Sequence, residues 1–359
     1  MTAMHVNTNG KKVLVALSGG VDSSACVYLL QKAGYSVEAV VLNLFPAAAP
    51  TVAAAQQTAD LLGIKLHVVT EHETFLHNVI LPFCEEYRTG KTPNPCVMCN
   101  PSTKFHFILK AADELGFDYI ATGHYASVEH MVKDGEEHYL LKKADFLPRD
   151  QSYMLYRLGQ DVLSRLLLPL QHLAKDAVRA VAAEAKLPCA TKPDSQEICF
   201  IPDNNYPAYI ENLLGKAPEG DFIAPDGKPC GRHKGILHYT VGQRKGLGIA
   251  LGRPVFIKSI DAETNRIYLA DSGDEYASGV LLHSCVVHPH PVLADTTHLG
   301  VKIRSVAKEA PATVTLLPDG GARVMFDTPQ RAPAPGQSVV WYHGDYVVGG
   351  GFIAEQIQL

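Results

Sequence analysis

Several features of membrane, secreted and generally basic proteins are missing from this sequence. It has no run of about 18 consecutive apolar residues, so we expect no membrane-spanning helix. The first ten residues lack the apolar stretch of a signal peptide, and the eight cysteines therefore indicate cytoplasmic thiols rather than a disulfide framework. A net charge of −5 argues against a generally basic nucleic-acid-binding protein. It is compatible with a protein that binds RNA through a local basic face.

The length of the chain and the change in its residue patterns, from alternating strands and helices to short strands with proline and glycine, predict an α/β fold with three domains. The 359 residues are 47% hydrophobic and 19% charged, as in soluble globular proteins with substantial cores. Strand and helix patterns alternate over residues 11–125, which predicts a doubly wound parallel sheet in a domain spanning 1–204. Residues 150–200 are predicted to be helical. Proline, glycine and short strand patterns then predict a small β-rich linker domain (205–279) and a β-barrel (280–359).

The most informative segment is SGGVDSS, residues 18–24, which follows an apolar strand pattern and precedes an apolar helix pattern. A strand, a Gly/Ser loop and a helix start together form an anion site, because loop amides and the helix N-terminus face the anion. A plain glycine turn is the alternative interpretation. No lysine follows the glycines, so this is not a Walker loop. Asp22 is either the helix N-cap, a ligand for magnesium on phosphates, or both.

Two cysteine-containing segments stand out next. Residues 92–100 form a proline-rigid loop before a helix pattern, which predicts Cys99 near a helix N-terminus with its thiolate favoured. Cys199 follows Asp194 and Glu197, whose charges would disfavour a thiolate. The Cys96-x-x-Cys99 pair is compatible with a redox dithiol, half a zinc site or core thiols. Packing is the default role for the remaining cysteines, at 26, 84, 189, 230 and 285.

Eight motifs in one order resemble the bacterial tRNA-specific 2-thiouridylases, which belong to the ATP-pyrophosphatase superfamily. They are SGGVDSS, TPNPCVMCN, ATGHYA, RDQSYMLY, DSQEICFI, YTVGQRKGLG, APGQSVVWY and GGGFI. The resemblance runs from about residue 11 to the end of the chain. It implies an ATP-pyrophosphatase domain at the start of the chain. It also implies an enzyme that converts the wobble uridine of certain tRNAs to 2-thiouridine.

The resemblance implies roles for residues at matching motif positions. Cys99 matches the nucleophile of the Asn-Pro loop, and Cys199 matches the cysteine that carries a persulfide. Nucleotide-contacting positions correspond to Ala16, Leu17, Ser18, Gly19, Gly20, Val21, Asp22, Ser23, Leu42 and Gly123. Positions that meet the target base or other parts of the RNA correspond to Asn94, Pro95, Cys96, His124, Arg149, Asp150, Gln151, Arg304, Ser305 and Gln337. No resident metal ligand is assigned.

The implied chemistry uses ATP with Mg²⁺, a tRNA substrate and a persulfide sulfur-donor protein. Adenylation turns the uracil C2 oxygen into a good leaving group, the Cys199 persulfide attacks C2, and Cys99 attacks the bridging sulfur. Some relatives carry aspartate where Cys96 stands. A [4Fe–4S] cluster on Cys96, Cys99 and Cys199 is the alternative mechanism. The alanine-rich segment 46–55 and Pro101 also depart from the family pattern.

Basic and aromatic residues of the β-rich half fit an RNA surface. They are Arg232, His233, Lys234, Arg244, Lys245, Lys302, Arg304 and Lys308, with Tyr239 and Tyr342 for stacking. A solvated surface is the alternative for each. Two other functions are alternatives to this one. An amide-forming ligase resembling GMP or NAD synthetases would share SGGVDSS but need no cysteine pair, and a nucleotide-binding RNA module would catalyse nothing.

Overall fold

The computed structural model describes residues 10–133, 135–191, 198–201 and 203–358. Within these ranges no helix combines the length and the apolar character needed to cross a membrane. The described residues form two compact units. The first unit comprises residues 10–78, 96–200 and 345–347, and the second comprises 79–95, 201–344 and 348–358.

A five-stranded parallel sheet is the centre of the first unit, in the order β3-β2-β1-β4-β7. Val13, Leu14 and Val15 of β1 are fully buried, as expected for a central parallel strand covered on both faces. The strands of this unit are β1 (Lys12–Ala16), β2 (Ser36–Asn43), β3 (Leu66–Thr70), β4 (Tyr119–Ala121), β5 (Ser127–Lys133), β6 (Glu136–Lys142) and β7 (Leu166–Leu167). The doubly wound parallel sheet predicted from the sequence is confirmed.

Helices cover this sheet, and several end at glycines in the left-handed conformation. Gly63 (φ +64°) and Gly116 (φ +71°) follow α2 and α6, where a residue without Cβ lets the chain turn back. The α-helices of the described residues are α1 (Val21–Lys32), α2 (Ala49–Leu62), α3 (His72–Phe75), α4 (Leu81–Arg88), α5 (Pro95–Cys99), α6 (Phe105–Leu115), α7 (Ser152–Leu155), α8 (Gln160–Leu163), α9 (Lys175–Glu184) and α10 (Tyr206–Leu214). Of these, α4 and α10 belong to the second unit.

The described residues of the 150–200 stretch are less helical than predicted. Among them the α-helices are α7, α8 and α9, and the short strand β7 joins the parallel sheet beside β4. Leucines at 166, 168 and 170 alternate along this stretch, so its apolar residues serve a sheet edge rather than a helix face. The hairpin of β5 and β6 is absent from the sequence prediction. Its strands pair antiparallel from Ser127 opposite Lys142 to Lys133 opposite Glu136.

The second unit contains a four-stranded sheet in the order β10-β11-β8-β9. Its strands are β8 (Gly220–Ile223), β9 (Pro229–His233), β10 (Val255–Asp261) and β11 (Arg266–Asp271). Phe222, Ile257 and Ile267 are fully buried in its core. The predicted β-rich middle region is therefore confirmed.

A six-stranded antiparallel barrel completes the second unit. Its strand order is β12-β15-β14-β13-β16-β17, and pairing of β12 with β17 closes it. Its strands are β12 (Tyr276–Val287), β13 (Thr296–Lys302), β14 (Ala310–Leu316), β15 (Ala322–Arg331), β16 (Ser338–His343) and β17 (Tyr346–Ile357). The predicted barrel is confirmed, although the strand expected over 301–306 lies earlier in the chain, as β13.

Candidate functional site

The SGGVDSS segment forms a tight loop between β1 and α1. Ser23 Oγ accepts a hydrogen bond from the Ser18 amide (3.2 Å) and donates one to the Gly20 carbonyl (3.2 Å). Gly19 has φ +71°, and a Cβ at this position would lie 2.6 Å from the carbonyl carbon of Ala54. Only glycine fits this position, for both conformation and space. Ser18 itself is exposed, and its hydroxyl lies 3.1 Å from Ser23 Oγ within the loop.

Three predicted nucleotide segments meet at one edge of the parallel sheet. β1 lies between β2 and β4, so Leu42 of β2 and Gly123 after β4 flank the loop. A Cβ on Gly123 would lie 2.9 Å from the Ser23 amide nitrogen, which requires glycine at this close approach. In open parallel sheets this carboxyl edge is where ligands bind. The structure therefore brings together the residues expected to contact the nucleotide.

Asp22 lies in the first turn of α1, and the N-cap is Gly20. The interpretation of Asp22 as the N-cap is therefore wrong, since the extended backbone at Gly20 starts the helix at Val21. The Asp22 carboxylate instead accepts hydrogen bonds from Lys175 Nζ, 2.8 Å from both oxygens, and from Tyr125 Oη at 2.6 Å. The side chain of Asp22 keeps 31% of its surface exposed.

His124 follows the nucleotide-loop contact Gly123 in sequence and packs against the helix that follows Cys99. It follows Gly123, its Nδ1 lies 2.8 Å from Thr122 Oγ1, and its ring stacks on Phe105 with centroids 5.8 Å apart. Burial, and then the nearby ammonium of Lys104, holds the pKa of His124 well below its usual value. His124 is therefore neutral near pH 7.

Cys99 is the last residue of α5, and a π-helical turn over Asn100–Lys104 follows directly. Cys99 thus lies inside a helical stretch, and the prediction that a helix N-terminus favours its thiolate is wrong. Cys99 is 8% exposed, and burial raises the pKa of its thiol. The ammonium of Lys104 and a hydrogen bond from the Lys104 backbone amide act in the opposite direction. Cys96, one turn earlier, is exposed.

Cys199 lies within electrostatic range of the same groups. Desolvation by neighbouring atoms, followed by the charges of Cys96 and Cys99, raises the pKa of Cys199 to about 12, while Lys104 lowers it. The residue still presents an exposed surface to solvent. The next residue, Phe200, is buried and packs edge-on against Phe75, with ring centroids 5.7 Å apart, which anchors this segment. The acidic residues Asp194 and Glu197, whose influence the sequence predicts, lie outside the described residues.

All eight cysteines lie within the described residues, and none of them forms a disulfide. Cys26, Cys84 and Cys189 are buried, which confirms packing for these three. No group of three His, Cys, Asp or Glu side chains within the described ranges is arranged to hold a metal ion. Cys96, Cys99 and Cys199 are therefore not preassembled as a cluster site in this structure.

The segment of Arg149, Asp150 and Gln151, matched to RNA contacts, is held to the first unit by its polar groups. The Asp150 carboxylate accepts hydrogen bonds from the Ala144 amide (3.1 Å) and the Ser152 hydroxyl (2.8 Å). Gln151 exchanges two hydrogen bonds with the backbone of Tyr125, at 2.9 and 2.7 Å. Arg149 ends a short 3₁₀ turn over Leu147–Arg149.

In the second unit, the predicted RNA residues divide between exposed and internal positions. Tyr239 and Tyr342 are 5% and 0% exposed, so the expectation that they stack on bases is wrong, because both rings pack into the core. His233 is also buried. Arg304 Nη2 donates to the Ala332 carbonyl at 2.9 Å, and Ser305 beside it is half-buried. These contacts leave the roles of Arg304 and Ser305 toward RNA as predictions.

Comparison with known proteins gives matches along the whole chain. Residues 11–203 match the family described as tRNA methyl transferase HUP domain. Residues 207–271 match the tRNA methyl transferase PRC-barrel domain, and residues 282–353 match the aminomethyltransferase beta-barrel domain. The tRNA-specific 2-thiouridylase MnmA of Acetivibrio thermocellus is 44% identical over 357 residues, covering 96% of this chain and 99% of that protein. The chain belongs to the tRNA-specific 2-thiouridylase family.

Other members of this family are similarly close. The 2-thiouridylase MnmA 2 of Caldanaerobacter subterraneus is 42% identical over 361 residues, covering 97% of this chain and 99% of the relative. The MnmA of Clostridioides difficile is 41% identical over 359 residues with the same coverage. The resemblance inferred from the eight motifs is confirmed. The boundaries at 204 and 279 and the roles of the individual site residues stay predictions.

Sequence reasoning missed four residues that the structure places beside this family's motifs. Lys175 and Tyr125 hold Asp22, and Lys104 lies within electrostatic range of Cys99 and Cys199. Asn100 is 1% exposed; its Nδ2 donates to the Met154 carbonyl at 2.7 Å, and its Oδ1 accepts no hydrogen bond from any described residue. Tyr125, Lys104 and Asn100 lie inside or just after quoted motifs, whereas nothing local distinguishes Lys175.

Proposed function

We propose that this chain is a tRNA 2-thiouridylase, which uses ATP and a cysteine persulfide to replace the C2 oxygen of a wobble uridine by sulfur. One observation supports the proposal most strongly. Cys99 and Cys199 lie near one cation, Lys104, on the same compact unit as the SGGVDSS loop. Gly123 and His124 connect the two regions, because Gly123 touches the loop and His124 stacks on Phe105, the residue that follows Lys104.

The first step is adenylation of the uridine. The loop amides and the N-terminus of α1 bind the phosphates of ATP, and Leu42 and Gly123 border the nucleotide. The uracil O2 attacks the α-phosphorus as N3 gives up its proton to solvent. An O–P bond forms, and the bond from the α-phosphorus to the bridging oxygen breaks to release pyrophosphate. A carboxylate oxygen in a phosphate loop is a ligand type that Mg²⁺ prefers, so Asp22 fits this ion. When bound, Mg²⁺ would offset charge on the departing pyrophosphate.

The second step transfers sulfur. The terminal sulfur of a Cys199 persulfide attacks C2, a C–S bond forms, and AMP leaves with the former O2. The Cys99 thiolate then attacks Sγ of Cys199, which breaks the S–S bond and releases 2-thiouridine. The product of this exchange is a Cys99–Cys199 disulfide. A dithiol reductant returns both cysteines to thiols, and a persulfide donor protein reloads Cys199.

The chain's own residues determine which sulfur reacts. Burial raises the pKa of Cys99, and the nearby ammonium of Lys104 opposes this by favouring the thiolate, which is the attacking form. The terminal sulfur of a persulfide is more acidic than a thiol, so loading Cys199 offsets the raised pKa of its own thiol. Exposure of Cys199 gives a donor protein access to it. Because the three cysteines form no metal-binding group in the described structure, no step is assigned to a cluster.

The proposed RNA contacts lie on both units and follow the family motifs. Asn94, Pro95 and Cys96 would meet the target base. His124, Arg149, Asp150 and Gln151, which belong to motifs of the first unit, would contact other parts of the RNA. Arg304, Ser305 and Gln337 would contribute from the barrel. A uridine must leave its stack to reach the thiols, as in other enzymes that act on a base.

In vitro thiolation tests the proposed function. Unmodified tRNA, ATP, Mg²⁺ and a sulfur source are incubated with the protein, and 2-thiouridine and AMP are quantified. We expect both products, with AMP formation dependent on tRNA. An amide-forming ligase would make AMP without thiouridine and would tolerate Cys199→Ser. A nucleotide-binding RNA module would release no pyrophosphate, and either result would reject the proposal.

A further inference from the structure

Lys175 is bound to the carboxylate of the phosphate loop although it lies 153 residues away in sequence. Its ammonium is 2.8 Å from both Asp22 oxygens, and Tyr125 Oη donates to one of them at 2.6 Å. The Lys175 side chain is 9% exposed, against 31% for Asp22. The two-oxygen contact fixes the position of the carboxylate within the loop.

The location of Lys175 in its own helix is unfavourable without Asp22. It is the first residue of α9, where the backbone amides already carry partial positive charge that disfavours a cation. A lysine with so little exposed surface is also costly to bury unless a counter-charge pairs with it. Asp22 supplies that counter-charge, so its pairing with Lys175 offsets both costs.

The charge of Asp22 matters because the proposed ligand of the loop is itself strongly anionic. An unpaired carboxylate in the first turn of α1 would repel a polyphosphate that approaches the loop amides. A carboxylate held by Lys175 forms a neutral pair, which leaves the loop amides and the helix N-terminus as the net attraction.

We propose that Lys175 is a positioning residue of the nucleotide site, which holds the Asp22 carboxylate in place and offsets its charge so that the phosphates of ATP can bind beside it. The inference rests on the proposed function, because ATP is the ligand it concerns. Lys175 acts through Asp22 and not by touching the phosphates. Loss of Lys175 therefore weakens ATP binding only while the carboxylate is present.

A double-mutant cycle measured by binding tests this role. Isothermal titration with α,β-methylene-ATP, which cannot be cleaved to AMP, gives affinities for the parent protein, Lys175→Met, Asp22→Asn and the double variant, with and without Mg²⁺. We expect Lys175→Met to weaken Mg²⁺-free binding about tenfold or more in the parent, and by less than about twofold in the Asp22→Asn background. Lys175→Arg, which keeps the cation, stays within about threefold of the parent.

Two results would overturn the proposal. If Lys175→Met binds α,β-methylene-ATP as tightly as the parent protein, the Lys175–Asp22 pair is a purely structural salt bridge. An equal loss in both backgrounds would mean that Lys175 contacts the phosphates directly. If Lys175→Met does not fold, judged by its circular-dichroism melting curve, Lys175→Gln takes its place with the same expected pattern. A parent protein that binds no ATP analogue would reject the proposed function itself, whereas the first two results reject only the role of Lys175.

Discussion

Gln337 of the barrel donates a hydrogen bond from Nε2 to the carbonyl oxygen of Thr92, 2.7 Å away and 245 residues earlier in the chain. The Thr92 amide in turn donates to the Pro335 carbonyl at 2.8 Å. Gly336, with φ +88°, lies so close that a Cβ would be 3.1 Å from the Thr92 nitrogen. Three consecutive barrel residues thus hold the backbone that leads into the Asn94-Pro95 motif, and this contact uses the side chain that the sequence assigned to RNA.

The Gln337 contact predicts a defect in tRNA use rather than in ATP use. Gln337→Ala removes the hydrogen bond to the Thr92 carbonyl. The loop that is proposed to receive the uridine is then held less firmly. We expect the KM for tRNA to rise about fivefold or more, with ATP affinity unchanged. Gln330→Ala is the matched control, since the Gln330 side-chain amide donates a local hydrogen bond to the Thr328 carbonyl at 2.8 Å. Equal kinetics for the two variants would contradict this role.

Cys199→Ser separates activation from sulfur transfer. A serine hydroxyl cannot carry a persulfide, so 2-thiouridine should fall to background. AMP formation in the presence of tRNA should be largely retained, because the loop residues are untouched. Cys230→Ser is the control: Cys230 is half-buried, and its thiol contacts the Phe222 carbonyl at 3.5 Å, which a hydroxyl can replace. Products are measured by liquid chromatography and mass spectrometry. Retained thiolation in Cys199→Ser would refute the persulfide role.

Lys104 should set the pH dependence of sulfur release. Its ammonium lowers the pKa of both Cys99 and Cys199, so Lys104→Met raises both. Thiolate is the attacking form, and its fraction falls about tenfold for each unit by which the pKa rises above the pH. The rising limb of the rate against pH should therefore shift to higher pH.

The control for Lys104 is Lys110→Met, an exposed lysine further along α6. Lys104→Arg, which preserves the cation, should keep most of the parent profile. The profile is measured under single-turnover conditions with a preloaded persulfide. If Lys104→Met and Lys110→Met give the same pH profile as the parent, Lys104 does not control the thiols.

Gly19→Ala should abolish nucleotide binding. The new Cβ would clash with Ala54 at 2.6 Å, and the φ of +71° is strained for alanine, with a combined cost on the order of 1–3 kcal/mol or more. Gly63→Ala is the matched control, because φ is +64° there but no described atom lies within 4 Å of the added Cβ. Both variants should melt at lower temperature, and only Gly19→Ala should lose ATP binding in calorimetry. Normal ATP affinity in Gly19→Ala would contradict the assignment of the loop.

Local sequence patterns predict those elements of the fold that are determined by residues close together in the sequence. Val13–Val15 and the Gly/Ser loop after them predict a buried parallel strand and an anion site, because strand burial and glycine geometry depend on near neighbours. The β5–β6 hairpin is not predicted, because its polar, half-exposed residues lack a clear alternating pattern.

The site is less predictable because its chemistry depends on contacts between distant segments. Cys99 was expected to favour its thiolate from its place after a proline loop, but burial in the fold decides its pKa. Tyr239 and Tyr342 were expected at the surface, whereas tertiary packing buries them. The pairing of Lys175 with Asp22 joins two segments whose contact no local pattern encodes.

The central claim is that Cys199 delivers the sulfur and Cys99 resolves the bridge after ATP activates the uridine. A single turnover of iron-free protein, loaded at Cys199 with a ³⁴S persulfide and mixed with tRNA, ATP and Mg²⁺, tests it most directly. We expect ³⁴S-labelled 2-thiouridine, AMP and a Cys99–Cys199 disulfide in equal amounts by mass spectrometry. Thiouridine that forms only after iron is restored, or that forms without this disulfide, would contradict the claim.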